Sequence, residues 1–201
     1  MASSSLPDVA PARRASSRQR RAAFHEAGRA LAFLYAGHPF TAASMWPVAE
    51  GYAGRMEGAS AVHGGCIGVA RLSAELEIVA VLAGPLAEAR AARRSLGAIV
   101  LTDGNHDWHR AHDLAATWFP AAPSAMLALA EERARALVSS CQGWRTIKAL
   151  AARLITTGRV EWAEAAAVFA ESYAAEVPSF AAWVAHWPLP VAAIRAGRLP
   201  T

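Results

Sequence analysis

The stretch Phe24-His25-Glu26-Ala27-Gly28-Arg29-Ala30-Leu31 decides how the rest of the chain is interpreted. Apolar residues recur within and after it at three- and four-residue spacing, which predicts a helix from about Arg20 to Ala36. On such a helix His25 and Arg29 project from one face, and Glu26 is their neighbour. An imidazole and a carboxylate are groups that bind metals and move protons. The stretch is therefore the first candidate for a functional site.

This pattern resembles the HExxH helix of zinc peptidases, in which two histidines bind one zinc ion and the glutamate is the general base. His25 and Glu26 match it, whereas Arg29 stands at the position of the second histidine. With its flanks, the run resembles the peptidase domain of the FtsH-type ATP-dependent zinc metallopeptidases, whose signature is an aromatic residue, HEAGH and Ala-Leu. The resemblance implies a mainly α-helical bundle with a small β-sheet. It also implies hydrolysis of peptide bonds by metal-bound water.

Two downstream blocks resemble the same family in the same order. The stretch from Ile78 to Glu88 is similar to an apolar helix that ends in GRAAEE, and Gly84 and Glu88 are among its matching residues. The segment 101–115 is similar to TTGAxNDLxxAT, which supplies the third zinc ligand, an aspartate. Asp107 takes that position. By the general logic of metal sites, Glu88 is a candidate to orient His25 through its other ring nitrogen, or else it is an exposed helix carboxylate.

A fourth block runs from Trp144 to Leu154 and resembles the C-terminal helix of the family. In the turn after it, Trp162 stands where the family has a glycine. The resemblance covers about residues 22–165. We therefore predict a peptidase-like domain over 21–170 and a Trp- and Pro-rich extension over 171–201 that packs on it.

The resemblance implies that His25 and Asp107 bind zinc and that Glu26 takes a proton from the bound water. Arginine is a permanent cation without a lone pair for a metal, so only two protein ligands remain. His63 or His106 is a candidate substitute ligand. Separately, a metal could bind to a cluster of His106, His109 and Asp113, but the favoured interpretation of that cluster is an exposed polar helix face.

Two hypotheses about function follow from Arg29. In the first, the chain is a zinc metallopeptidase with impaired activity that acts on peptides or unfolded protein. In the second, it is an inactive relative that binds a peptide or a protein partner. In that case the guanidinium pairs with Asp107 or Glu26 and replaces the charge of the metal.

Composition limits the other functions. The net charge is +4, and the first 21 residues already carry +4 from five arginines and one aspartate, so the remainder is neutral and gives no support for a nucleic-acid surface. Lys148 is the only lysine, so there is no GxxxxGK phosphate loop and no ATP binding is expected.

No segment has the pattern of a membrane span, and we expect a cytoplasmic protein. The hexameric rings of the family leave a homo-oligomer as an option.

Local patterns predict the remaining elements. Residues 1–20 lack apolar periodicity and are expected to be disordered. The glycine-rich interval from Phe40 to Leu72 predicts a two- or three-stranded sheet, with strands near Ser44 to Val48 and Cys66 to Ala70, or else a surface loop. An edge strand there offers its main chain to an extended peptide. Ser73 is the expected N-cap of the next helix.

Overall fold

A computed structural model describes residues 15–49, 51–59, 67–102 and 105–173 of the 201-residue chain. Over these ranges the prediction of a mainly helical fold with a small sheet is confirmed. The helices are α1 (Ser17–Tyr35), α2 (Ile67–Ala92), α3 (Leu96–Val100), α4 (Asn105–Trp118), α5 (Pro123–Ser139), α6 (Cys141–Thr157) and α7 (Trp162–Tyr173). The strands are β1 (Ala42–Val48), β2 (Gly51–Glu57) and β3 (Arg159–Glu161).

Helix α1 begins three residues earlier than predicted. The side chain of Ser16 accepts a hydrogen bond of 3.1 Å from the backbone N–H of Gln19 and caps the helix. The amide of Gln19 also donates to the carbonyl of Ile155 in α6, at 3.2 Å. The prediction that residues 17–20 are disordered is wrong, because the cap and the contact with α6 order the first turn.

Helix α2 is longer than predicted. It begins at Ile67, so residues 67–70 are helical and the prediction of a strand from Cys66 to Ala70 is wrong for them. Ser73, the expected N-cap, lies within the helix. No proline interrupts the run before Ser73, so the helix extends towards its N-terminus. Every residue from 78 to 83 is buried. A helix that is apolar on all sides belongs in the core, and α2 packs against α1, α4 and α5.

The sheet is antiparallel and has the order β2-β1-β3. Its third strand comes from the far end of the domain and not from the glycine-rich interval. Gly158 makes this return possible, because it ends α6 in the left-handed conformation at φ 74°. Thus Gly158 supplies the glycine of this turn, and Trp162 begins α7. Strand β2 lies at the edge of the sheet and packs on α1.

Several predictions concern residues outside the described ranges. These are the disorder of 1–14, the position of His63 and the packing of 174–201. Helix α7 continues to Tyr173, so the first residues assigned to the C-terminal extension belong to a helix of the domain. Within the described ranges, no helix has the length and the apolar composition of a membrane span.

Candidate functional site

A cleft of about 820 Å³ opens between α1, the hairpin of β1 and β2, and the start of α4. Helix α1 forms its floor, because residues at three- and four-residue spacing on one face point into it. Its lining includes His25, Glu26, Arg29, Glu88 and Asp107, together with Arg18, Arg21, Tyr52, Gly54, Thr102 and His106. The structure thus brings most of the sequence-predicted site residues to one place.

His25 lies between two carboxylates from other helices. Its Nε2 is 2.8 Å from Oδ2 of Asp107 in α4, and its Nδ1 is 3.4 Å from Oε2 of Glu88 in α2. Arg21 donates from Nε to Oε1 of Glu88 at 2.8 Å. The imidazole is therefore oriented through both nitrogens.

The two carboxylates favour the imidazolium form of His25. Burial opposes the charge, but the hydrogen bonds with Asp107 and Glu88 outweigh it and raise the pKa of His25 to about 10. Burial also tends to raise the pKa of Asp107 and of Glu88, whereas the hydrogen bond and charge of His25 prevail and lower both. The charge of Arg29 also contributes to the low pKa of Asp107. The three groups therefore form a charged hydrogen-bonded network.

Glu26 and Arg29 form a second pair in the floor of the cleft. Nη1 of Arg29 is 3.7 Å from Oε2 of Glu26, and Glu26 is only 3% exposed. Of the two partners proposed for Arg29 from the sequence, the ion pair is with Glu26. Burial raises the pKa of Glu26, and the charge of Arg29 opposes that change. Among the described residues, neither Oε2 of Glu26 nor Nε of Arg29 has a hydrogen-bond partner.

Two glycines give these side chains their space. A Cβ on Gly84 of α2 would lie 2.8 Å from Nε2 of His25 and 3.0 Å from Cγ of Arg29. The side chains of His25 and Arg29 therefore pass directly over α2 at Gly84. A Cβ on Gly54 of β2 would lie 2.5 Å from Cγ of Glu26. Strand β2 therefore rests directly against the Glu26 side chain.

Among the described residues, the structure brings the two predicted zinc ligands His25 and Asp107 together. His25 and Asp107 are in mutual contact, but no group of three or more His, Cys, Asp or Glu side chains in the described ranges is placed to hold a metal. His106 lines the cleft as an exposed side chain, and His63 lies outside the described residues. His109 and Asp113 are exposed as well. Arg29 adds a fixed positive charge to the same cleft.

Arg21 and Gly54 are two of the contributors to the cleft that sequence reasoning missed. Arg21 lies four residues before His25 on the same face of α1, and this spacing was a usable signal for its contact with Glu88. Gly54 gave no such signal, because its role depends on how β2 packs on α1.

No protein-family model matches this chain, and no curated protein matches it either.

Proposed function

We propose that this chain is a non-catalytic relative of the FtsH-type zinc peptidases that binds an extended segment of peptide or unfolded protein in the cleft. The observation that carries the proposal is the position of Arg29, which pairs with Glu26 at 3.7 Å beside the contact of His25 with Asp107. The charge that a metal supplies in an active relative is here supplied by a side chain.

The electrostatics of the cleft oppose the hydrolytic reaction. A general base has to be free to take a proton from water, but Glu26 is buried against a guanidinium. His25 and Asp107 satisfy each other by hydrogen bonding, and binding a cation between them would disrupt that contact next to Arg29. These features support binding without peptide-bond cleavage.

The edge strand supports a polypeptide as the ligand. Strand β2 has β1 on one side only in the described sheet, and its residues from Gly51 to Gly54 line the cleft. An edge strand offers backbone N–H and C=O groups that an extended segment can pair with. The cleft is also large enough for a few residues of such a segment.

A weak zinc peptidase is the second candidate function. It is favoured by the meeting of His25, Glu26 and Asp107 in one cleft, which is the arrangement that the family resemblance implies. This candidate requires a further ligand from the solvent or from a residue outside the described ranges.

Fluorescence anisotropy with labelled β-casein, an unfolded polypeptide, tests the proposal. We expect binding that is unchanged by EDTA, together with intact casein after incubation with zinc. Thr102→Arg should abolish binding because it fills the cleft. Thr156→Arg is the matched control, since both threonines are exposed and donate to the carbonyl four residues earlier, but Thr156 lies on α6 outside the cleft. Zinc-dependent cleavage would favour the second candidate, and absence of binding would overturn the proposal.

A further inference from the structure

We propose that residues 177–187 of this chain dock in a second, apolar pocket, and that the rings of Phe180 and Trp183 fill it. Residues 177–187 lie outside the described ranges, whereas the pocket lies within them. The pocket is formed near the C-terminal end of α1, and none of the described residues that line it also lines the cleft. The inference is therefore independent of the proposed function.

The chemistry of the pocket requires an uncharged, apolar occupant. The pocket has a volume of about 450 Å³, and its apolar walls include Leu76 and Val79 of α2 and Leu137 of α5. Among the described lining residues, Arg133 is the only one with a formal charge, and it forms an ion pair with Glu75. A charged group that entered this pocket would lose its hydration without gaining an opposite charge of its own.

The last described residue of the chain lies at this pocket. Helix α7 ends at Tyr173, which is one of the lining residues, and only three residues separate it from Val177. An extended chain spans about 3.5 Å per residue, so Phe180 can reach any point within about 25 Å of Tyr173. The segment is therefore tethered beside the pocket, which raises its effective concentration there to about the millimolar range.

The sequence of the segment has the chemistry that the pocket requires. No residue from Val177 to Ile194 carries a formal charge. The aromatic residues Phe180 and Trp183 are three positions apart in this stretch. Aromatic side chains have the largest apolar surfaces to remove from water, and a pocket of this volume accommodates a small apolar ligand. The position of the tether and the absence of charge thus both point to this segment as the occupant.

Disulfide trapping in the full-length chain tests the inference. Cys141 is exposed and lies between Ser140 and Gln142, which both line the pocket. In a Cys66→Ser background, Ala182→Cys adds a thiol between the two aromatic residues, and oxidised glutathione is the oxidant. We expect the intramolecular disulfide with Cys141 to form about tenfold faster than in a control that carries Cys141→Ser and Ala152→Cys. The control moves the thiol to an exposed position of α6 outside the pocket.

A substitution that fills the pocket provides the second measurement. Ala136 is an exposed residue of α5 that lines the pocket, so Ala136→Arg introduces a long, charged side chain there. In the trapping chain this variant should lower the rate of disulfide formation with Cys141 about tenfold, to that of the control. Ala152→Arg is the matched substitution on α6 and should leave the rate unchanged. Circular dichroism verifies that both variants are folded.

Three results would overturn the inference. Equal trapping rates at Cys141 and at the control position would show that the segment has no preference for the pocket. Disulfide-linked dimers in place of the cross-linked monomer would assign the pocket to the segment of a second copy. A fast rate that Ala136→Arg leaves unchanged would place the segment beside the pocket without filling it.

Discussion

Nε2 of His25 in α1 and Oδ2 of Asp107 in α4 are 2.8 Å apart, and this contact joins two helices that are distant in sequence. Both side chains are largely buried, at 14% and 10% exposure. The contact links α1, which forms the floor of the cleft, to α4. Its contribution to the free energy of unfolding depends on the protonation of both side chains.

The free energy of unfolding of the metal-free protein should be highest between about pH 5 and pH 6.5. The folded pKa of His25 is about 10, above its unfolded value, so its contribution is complete at lower pH and is lost as the pH rises towards 10. Asp107 and Glu88 have lowered folded pKa values, so their contributions are lost as the pH falls below about 4. Urea unfolding in EDTA over this range measures the profile. Asp107→Asn should flatten its alkaline side, and an unchanged slope would contradict the assignment.

Arg29→His should create a zinc site. The new imidazole projects from the same face of α1 as His25, and with Asp107 it completes three protein ligands beside Glu26. We expect less than one zinc per chain in the parent and about one in the variant by elemental analysis. Arg29→Gln is the control that removes the charge without adding a ligand, and it should gain no zinc.

The same variant should be less stable than the parent in EDTA, because Glu26 loses its cationic partner. Breaking a buried pair costs about 3 kcal/mol, less if water enters the cleft. If Arg29→His changes neither zinc content nor stability, the inferred role of Arg29 is wrong.

Gly28→Ala should lower the free energy of unfolding by about 1 to 3 kcal/mol, the usual cost of overpacking. A Cβ at this position would lie 2.5 Å from the carbonyl oxygen of Ala83 and 2.6 Å from Cβ of Ala87 in α2. Gly97→Ala is the control, since nothing lies within 4 Å of its Cβ position on α3. That variant should be stabilised by about 0.5 kcal/mol. Equal effects of the two substitutions in chemical unfolding would refute this account of the α1–α2 contact.

Deleting residues 1–20 should cost about 1 to 2 kcal/mol more than deleting residues 1–14. The longer deletion removes the Ser16 cap and the hydrogen bond from Gln19 to the carbonyl of Ile155. Thermal unfolding of the two truncated chains measures the difference. Equal melting temperatures would show that the first turn of α1 adds nothing.

The sequence by itself determined the helical class of the fold and the shared face of His25 and Arg29. Both follow from local spacing, because helical periodicity depends on residues three and four apart and needs no information about distant segments. It also indicated the strand near Ser44 to Val48. The position of Asp107 beside His25 was expected from the family resemblance, and no spacing in this chain would have predicted it.

Tertiary packing decided the remaining features of the site. It selected Glu26 as the ion-pair partner of Arg29, placed Gly54 against that carboxylate and brought in β3 from the far end of the domain. It also extended α2 beyond Ser73. These outcomes depend on which segments approach each other and how closely, as at Gly28 and Gly84, where a missing Cβ lets α1 meet α2. Local sequence patterns do not encode such distances, because they arise from close packing between residues far apart in the chain.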